Sequence, residues 1–359
     1  MKISVILGTR PEIIKMSPII RYLKDISLDF FILHTGQHYS YEMERIFFQE
    51  LELPDADYNL EVGSGTHGQQ TGKMLNGIED VLLQEKPDVV LVQGDTNTVL
   101  AGALAAAKLG IKVGHVEAGL RSFDRSMPEE INRVVADHLS DYLFAPTVTA
   151  QQNLLQEGIS SDNIFVCGNT VVDALFQNIG ISESKLSVLD DLGLQKEGYF
   201  LVTAHRQENV DNEGRLNDIV NGLLDLHRQY DIPIIFSAHP RTINRLAEFD
   251  ITLPEGIRII EPPGYLEFLQ LEKNAKLVLT DSGGVQEEAC ILRVPCVTLR
   301  NNTERPETIE VGSNILVGTN PSKILNGVSM MLKQSRNWVN PFGDGKAAEK
   351  IVSTLGGVA

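Results

Sequence analysis

The fold class is indicated by one stretch of the chain, Leu277-Val278-Leu279-Thr280-Asp281-Ser282-Gly283-Gly284-Val285-Gln286-Glu287-Glu288-Ala289. Its apolar start predicts a buried strand, its Asp-Ser-Gly-Gly segment a tight turn, and the remainder a helix. Backbone N–H groups at a helix N-terminus bind phosphate well, and two glycines remove the Cβ atoms that would block a pyrophosphate. The alternative is an ordinary strand-to-helix turn that Asp281 or Ser282 caps.

Short apolar runs alternate with helical patterns from this stretch outward to both ends of the chain. Strands that are apolar throughout and separated by helices are typical of parallel sheets with both faces covered. The sequence predicts strands at residues 3–7, 30–34, 89–93, 112–116, 142–145, 164–167, 200–203, 232–237, 257–260, 277–280, 296–298 and 315–317. Helical patterns lie between them, among others at residues 12–24, 96–109, 130–139, 215–229, 265–274 and 321–333.

This number of strands exceeds what one open sheet usually holds, so we expect an α/β chain with two Rossmann-like, doubly wound parallel-sheet domains. Residues 1–168 are expected to form the first domain, residues 169–342 the second, and residues 343–359 a last helix that crosses back to the first. Two such domains facing a central cleft bind their ligand at the carboxyl ends of the strands. Polar residues directly after strands are therefore the candidates for the site.

The composition excludes several classes of function. The formal net charge is −17, so no basic field exists to release counterions, and we expect no nucleic-acid partner. No run of about 18 apolar residues is present, which argues against a membrane span. The cysteines, Cys167, Cys290 and Cys296, have no metal-like spacing and indicate reduced thiols in a cytoplasmic protein. An anionic ligand would need cations gathered locally.

Two cations follow the first predicted strand. The segment Gly8-Thr9-Arg10-Pro11-Glu12, with Lys15 close behind, has glycine in the turn and proline at the start of the helix. Arg10 and Lys15 oppose the helix dipole at this end. Two cations at this unfavourable place are better explained by an anion-binding site than by a first helical turn exposed to water.

Carboxylates follow the third and fourth predicted strands. Asp95 comes after residues 89–93, Glu117 comes after residues 112–116, and Glu129 begins the next helix. Three carboxylates facing one cleft would raise some of their pKa values, which suits general acid–base chemistry. Asp95 and Glu129 could instead be plain helix caps. A metal site is disfavoured because no H-E-x-x-H motif and no neighbouring histidine cluster accompany them.

Two histidine–arginine pairs follow strands in the second half of the chain, His205 with Arg206 and His239 with Arg241. The pattern G-x-x-x-x-G-K-[ST] is absent, and the G-x-G-x-x-G match at Gly63-Ser64-Gly65-Thr66-His67-Gly68 does not directly follow a predicted strand, so no dinucleotide cofactor is expected. Together these residues predict an enzyme that acts on a phosphorylated or nucleotide-linked small molecule by proton transfer, without a redox cofactor.

At these positions the chain resembles the non-hydrolysing UDP-N-acetylglucosamine 2-epimerases. The resemblance covers nearly the whole chain and is carried, in family order, by Gly8-Thr9-Arg10-Pro11-Glu12, Thr35-Gly36-Gln37-His38, Gln93-Gly94-Asp95-Thr96, Val116-Glu117-Ala118-Gly119-Leu120-Arg121, Pro128-Glu129-Glu130, Asn132-Arg133, Thr203-Ala204-His205-Arg206, Asp281-Ser282-Gly283-Gly284 and Thr303-Glu304-Arg305-Pro306-Glu307. It implies a glycosyltransferase-B type of fold, a homodimer assembled through the first domain, and no cofactor. The implied ligands are UDP-N-acetylglucosamine and UDP. The implied reaction is reversible epimerisation at carbon 2 to UDP-N-acetylmannosamine, by elimination of UDP to 2-acetamidoglucal and re-addition.

The resemblance also implies roles for individual residues. The catalytic residues would be Asp95, Glu117, Glu129 and His205, the last of them near the diphosphate. The substrate contacts would be Arg10, Lys15, Ser282, Gly283 and Gly284 for the nucleotide and diphosphate, Glu288 for the ribose and Phe268 for the uracil. Many bacterial members have a second, activating site, for which the matching residues are Gln37, His38, Gln70 and His239. These members carry an arginine beside the glutamine that corresponds to Gln70, and the segment Thr66-His67-Gly68-Gln69-Gln70-Thr71 lacks it.

Three other functions fit the same pattern. A hydrolysing epimerase would release N-acetylmannosamine and UDP, because water would capture the intermediate. A glycosyltransferase would also bind a UDP-sugar, but it needs an acceptor site and has no evident need for three carboxylates at strand ends. A UDP-sugar sensor would bind without turnover.

Overall fold

The computed structural model of the chain describes residues 1–36 and 41–357, the side chains of residues 41–44 excepted. The described chain forms two compact units. One comprises the described residues from Met1 to Gln177 together with those from Phe342 onward, and the other is Asn178–Pro341.

The first unit has a seven-stranded sheet. Its strands are β1 (Lys2–Leu7), β2 (Asp29–His34), β3 (Tyr58–Asn59), β4 (Val89–Gln93), β5 (Lys112–Val116), β6 (Tyr142–Ala145) and β7 (Ile164–Val166). Its helices are α1 (Arg10–Asp25), α2 (Tyr41–Glu50), α3 (His67–Glu85), α4 (Asn97–Lys108), α5 (Pro128–Leu139), α6 (Val148–Gln156), a 3₁₀ turn (Ser161–Asn163) and the start of α7 (Thr170–Lys185).

The second unit has a six-stranded sheet. Its strands are β8 (Phe200–Thr203), β9 (Ile234–Ser237), β10 (Ile257–Ile260), β11 (Leu277–Thr280), β12 (Cys296–Thr298) and β13 (Asn314–Leu316). Its helices after α7 are α8 (Val188–Asp191), α9 (Gln207–Val210), α10 (Glu213–Tyr230), α11 (Pro240–Glu248), α12 (Tyr265–Asn274), α13 (Gly283–Ile291), α14 (Pro306–Glu310) and α15 (Pro321–Met331). The last helix, α16 (Ala347–Gly356), belongs to the first unit.

Both sheets are parallel throughout, which confirms the predicted fold class. The strand orders are β3-β2-β1-β4-β5-β6-β7 and β10-β9-β8-β11-β12-β13. Across each sheet the strand numbers fall and then rise. The change lies between β1 and β4 in one sheet and between β8 and β11 in the other. Ligands of such sheets bind where the order reverses, at the carboxyl ends of the strands. The turns after these four strands are therefore the places to look for a site.

The strands are apolar throughout because both faces of each sheet are covered. In β8, Phe200 and Val202 lie in one buried cluster with residues of α10 and α15, while Leu201 lies in another with residues of α12 and α13. Successive side chains of a strand point to opposite faces, so burial of both faces demands an unbroken apolar run. The core thus explains the pattern on which the fold prediction depended.

The structure differs from the sequence prediction in a few elements. Strand β9 begins at Ile234 instead of residue 232, because Pro233 has no N–H for a sheet ladder. The edge strand β3 has only two residues and gives no periodic signal. The long helix α3 was not among the predicted patterns, although Thr66 and Gln69 form a capping box at its start.

The first unit extends to Gln177, beyond the boundary predicted at Gly168. Asp173 in α7 accepts hydrogen bonds from the N–H groups of Ala347 (3.2 Å) and Ala348 (3.0 Å), so it caps the start of α16. The N–H of Asn169 donates to the carbonyl of Phe342 at 2.8 Å. These bonds hold the start of α7 and the C-terminal helix in the same unit.

Among residues 1–36 and 41–357, none of the helices combines the length and the apolar character needed to cross a bilayer.

Candidate active site

The turn after β1 is organised by a buried carboxylate, Glu12. One of its oxygens accepts from the N–H of Gly8 (3.0 Å) and the hydroxyl of Thr9 (2.8 Å), and the other accepts from the hydroxyl of Thr96 (2.7 Å). Thr96 directly follows Asp95, so Glu12 ties together the turns after β1 and β4. Burial raises the pKa of Glu12 to about 7, against the hydrogen bonds that lower it. No role for Glu12 is predicted from the sequence, although Thr9-x-x-Glu12 has the spacing of a capping box.

Glu117 lies at the end of β5 in a strained backbone conformation. Its φ of +69° is in the left-handed region, which costs a non-glycine residue about 1–2 kcal/mol. Its buried carboxylate accepts from the ammonium of Lys15 (2.7 and 2.9 Å), from Nδ2 of Asn169 (2.9 Å) and from Nε2 of Gln93. Strain that the surroundings over-determine in this way is typical of functional positions. The structure thus holds this carboxylate in one fixed orientation.

Asp95 lies beside Glu117 at the ends of paired strands. In the β4–β5 pair Gln93 is opposite Val116, and the N–H of Gly94 donates to the carbonyl of Val116 at 3.1 Å. The carboxylate of Asp95 forms an ion pair with Arg133 from α5, and it remains partly exposed to water. The structure therefore brings two of the three predicted carboxylates to one edge of the sheet, one of them buried and the other accessible.

The third carboxylate, Glu129, is exposed in the first turn of α5, while its neighbour Glu130 is buried. Glu130 accepts from the N–H and hydroxyl of Ser122 (both 2.9 Å) and from the N–H of Phe123 (3.0 Å). Burial acts to raise the pKa of Glu130, but these donors and Arg133 hold it below its usual range. Glu130 therefore stabilises the loop before α5, whereas the side chain of Glu129 faces water.

The two predicted cations near α1 have different surroundings. The guanidinium of Arg10 lies over the ring of Phe47, 5.8 Å from its centroid. The ammonium of Lys15 is bound to Glu117, as described above. The predicted contact of Lys15 with a diphosphate stays a prediction; within the protein its ammonium is bound to an internal carboxylate.

Gln37 and His38 of the possible activating site lie outside the described residues. The amide of Gln70 donates to the carbonyl of Gly63 (2.9 Å) and accepts from Asn97 (3.1 Å), so both of its polar ends contact the fold. In the second unit, Nδ1 of His239 accepts from the N–H of Arg241 (3.2 Å) and caps α11.

In the second unit, Asp281 fixes the turn after β8. It is fully buried and accepts from the N–H groups of His205 (3.1 Å) and Arg206 (3.0 Å) and from Nδ2 of Asn209 (3.0 Å). Nδ1 of His205 is 3.4 Å from the same carboxylate, and the imidazole is otherwise about half exposed. Asp281 is thus no helix cap; it positions His205, a role that the sequence analysis missed.

Ser282 is the N-cap residue of α13, yet among the described residues its side chain makes no cap hydrogen bond. A Cβ built on Gly283 would lie 3.6 Å from Glu304, and one built on Gly284 would lie 3.9 Å from Ser282, both ordinary contacts. Neither glycine has a positive φ. The fold therefore has no need of glycine at either position, whereas close approach of a ligand to the backbone would require it.

The two remaining predicted contacts lie on α12 and α13. Phe268 is partly buried against the apolar cluster that contains Tyr199 and Leu271. Glu288 lies next to Glu272, a fully buried carboxyl whose pKa is raised well above its usual value by burial and by the charge of Glu288. Of this pair, Glu272 is the carboxyl whose ionisation burial opposes.

Among the described residues, no group of three or more His, Cys, Asp or Glu side chains could hold a metal ion.

Comparisons with known proteins give a consistent result. The sequence profile of the UDP-N-acetylglucosamine 2-epimerase family matches residues 22–356. The UDP-N-acetylglucosamine 2-epimerase of Methanocaldococcus jannaschii is 63% identical over 99% of both chains. A crystal structure of that enzyme in complex with UDP-GlcNAc and UDP has a TM-score of 0.85 and covers 99% of both chains at 63% identity. The UDP-2,3-diacetamido-2,3-dideoxy-D-glucuronate 2-epimerase of Pseudomonas aeruginosa is 42% identical over 99% of both chains.

Proposed function

The chain belongs to the UDP-N-acetylglucosamine 2-epimerase family, and we propose that it interconverts UDP-N-acetylglucosamine and UDP-N-acetylmannosamine by the non-hydrolysing route. The observation that carries the proposal is the pair of carboxylates Asp95 and Glu117 at the ends of adjacent strands. Family membership supports the substrate, since a 63% identical relative has been crystallised with UDP-GlcNAc and UDP.

The chemistry explains why two carboxylates are needed. The hydrogen at sugar carbon 2 has no adjacent carbonyl and is barely acidic. It can be removed once the bond from the anomeric carbon to UDP breaks and that carbon gains cationic character. A carboxylate takes the proton, UDP leaves with the bonding electrons, and 2-acetamidoglucal remains. Return of a proton to the opposite face, with re-addition of UDP, gives the epimer. Inversion therefore uses acid–base groups on both faces of the ring, and Asp95, Glu117 and the exposed Glu129 supply them.

The second unit supplies contacts for the leaving group. We assign the diphosphate to His205, Ser282, Gly283 and Gly284, because these glycines are unexplained by packing and His205 is held by Asp281. Glu288 binds the ribose hydroxyls and Phe268 lies by the uracil. Arg10 and Lys15 provide the positive charge of the first unit. Neither a metal nor a redox cofactor takes part.

Proton NMR of UDP-N-acetylglucosamine with the purified protein in heavy water tests this function directly. The expected product is UDP-N-acetylmannosamine with deuterium at carbon 2, formed without added cofactor. UDP and N-acetylmannosamine as main products would establish the hydrolysing reaction instead. An unchanged spectrum with folded protein would refute epimerisation of this substrate.

The 42% identity to an enzyme for a diacetamido glucuronate sugar makes that nucleotide sugar the second candidate substrate. The same experiment with both substrates, each at several concentrations, compares their kcat/KM values directly. We expect the ratio to favour UDP-N-acetylglucosamine, because the more similar relative acts on it by name.

Glu117→Gln tests the assignment of the acid–base groups. We expect kcat to fall by about 10²- to 10⁴-fold while UDP binding is retained, because the amide cannot take a proton. Glu79→Gln, an exposed glutamate on α3, is the matched control. Normal turnover of Glu117→Gln would move the catalytic role to another residue.

We further propose a homodimer assembled through α5. Ile131 and Val135 are four residues apart on one face of α5 and Met127 directly precedes the helix; the three are 45%, 36% and 37% exposed. Apolar side chains exposed together favour burial against a partner. Light scattering should give the dimer mass for the native chain and the monomer mass for Ile131→Asp. Met330→Asp, at an exposed apolar position in the second unit, should stay dimeric.

A further inference from the structure

A buried histidine lies directly beneath the carboxylates of the first unit. His115 is in β5, two residues before Glu117, and is fully buried. Its Nδ1 is 2.6 Å from a carboxylate oxygen of Asp137 in α5, and its Nε2 is 2.8 Å from the carbonyl of Gly94. Both partners are acceptors with no hydrogen of their own to give. Each ring nitrogen must therefore carry a hydrogen, and only the imidazolium has both.

The surrounding charges are arranged to hold this cation. Asp137 also accepts from Arg121 (2.7 Å), which in turn forms an ion pair with Glu157 (2.6 Å). Burial lowers the pKa of His115, but the attraction of Asp137, the carbonyl of Gly94 and the charge of Glu117 together raise it above its usual value. Positive and negative charges therefore alternate along the contacts from His115 through Asp137 and Arg121 to Glu157. The four charges sum to zero.

One hydrogen bond of His115 and one of Asp137 reach the two turns that contain Asp95 and Glu117. Gly94 precedes Asp95 and has a φ of +84°, and its carbonyl is the acceptor of His115. On the other side, Asp137 accepts from the N–H of Gly119 at 3.1 Å, in the turn directly after Glu117. The pair of His115 and Asp137 therefore connects the Asp95 turn to the Glu117 turn through one buried bridge.

We propose that His115 is a positioning residue, a permanently charged imidazolium that, with Asp137, fixes Asp95 and Glu117 relative to each other. It does not touch substrate, and its effect is on the geometry of proton transfer. The inference rests on the proposed function insofar as those carboxylates carry the reaction. Misplacement of reacting groups by about 1 Å can cost about 100-fold in rate, so loss of the bridge should lower kcat by up to this factor and leave KM nearly unchanged.

The charge of the ring is tested first, on the native protein and without substrate. In ¹⁵N-histidine-labelled protein, His115 should give two directly bonded N–H cross-peaks that persist from pH 6 to pH 9. His115→Gln identifies the pair by its loss. A single N–H on this ring in that range would overturn the proposal, whether or not the protein epimerises the sugar.

The second arm compares kcat and KM of the native chain, His115→Gln, Asp137→Asn and the double variant. If the two residues act as one bridge, the double variant should lose about as much kcat as either single variant. Thermal melting followed by circular dichroism, which reports both units, checks that the first unit of each variant is folded. A folded His115→Gln with native kcat would overturn the positioning role. Absence of turnover in the native chain would refute the proposed function instead, and the ring measurement would still decide the charge of His115.

Discussion

Glu12 offers the sharpest test of how burial and hydrogen bonding compete in this fold. Its carboxylate is fully enclosed, and three donors from Gly8, Thr9 and Thr96 point at it. The donors favour the charged form, whereas removal from water favours the neutral acid. Burial prevails and raises the pKa from 4.5 to about 7. Replacement by glutamine removes the titration and retains an acceptor of nearly the same shape.

The magnitude follows from linkage between protonation and folding. The native pKa lies about 2.5 units above the unfolded value (about 7 minus 4.5), and each unit corresponds to about 1.4 kcal/mol. The contribution of Glu12 to stability is therefore fully present below pH 4.5. It is lost as the pH rises from 4.5 to about 7, about 3 kcal/mol in all. Between pH 5.5 and pH 8.5 the remaining loss is about 2 kcal/mol.

Urea unfolding of the native chain and of Glu12→Gln across this pH range measures the effect. The free energy of unfolding of the native chain, minus that of the variant, should fall by about 2 kcal/mol from pH 5.5 to pH 8.5. The chain's single tryptophan, Trp338, is in the second unit, so its fluorescence follows that unit, and circular dichroism reports both.

Glu79→Gln is the control for this series, because its carboxylate lies in water on the surface of α3 and its difference should stay level with pH. A level or rising difference for Glu12→Gln would refute the reasoning. It would show that the three donors outweigh burial and that Glu12 is an ordinary carboxylate in the native state.

Three further predictions concern the second unit. Glu272→Gln should become more stable relative to the native chain as the pH rises, because the raised pKa of Glu272 makes its ionisation beside Glu288 costly; urea unfolding followed by Trp338 fluorescence measures this. Gly284→Ala should leave stability unchanged or raise it by up to about 1 kcal/mol, yet weaken UDP binding by about tenfold or more in calorimetric titration, because the methyl fits the fold but blocks a diphosphate. Asp281→Asn should lower stability by about 2 kcal/mol in thermal denaturation, since the amide lacks the negative charge, keeps one acceptor oxygen and turns an N–H₂ group towards backbone N–H donors.

The fold could be predicted from the sequence because its signal is local. Each strand of the second sheet places successive residues in different apolar clusters, as Phe200 and Leu201 do, so the requirement for an apolar run is present in every strand separately. The strand, turn and helix around Ser282 were likewise confirmed, since turn residues and helix formers lie next to each other in the chain. Patterns of this kind need no knowledge of distant residues.

The partners of the site residues could not be predicted, because they are distant in the chain. Glu12 and Thr96 are brought together only by the pairing of β1 with β4, and His115 meets Asp137 only where α5 packs beneath the sheet. The left-handed backbone conformation of Glu117 could not be predicted either, because the residue at this position is not a glycine. Their place after strands thus made Asp95 and Glu117 candidates, but the residues that hold them could not be found from the sequence.

Lys15 shows what this difference means for function. In a chain with a formal net charge of −17, Lys15 was assigned to an external anion from its charge, its place after the first strand and the family resemblance. The structure places it 2.7 Å from Glu117, an internal anion. A cation in that place favours the ionised form of the carboxylate and fixes its direction. Lys15 therefore acts on the proposed proton transfer through Glu117, because it sets both the charge and the direction of that carboxylate.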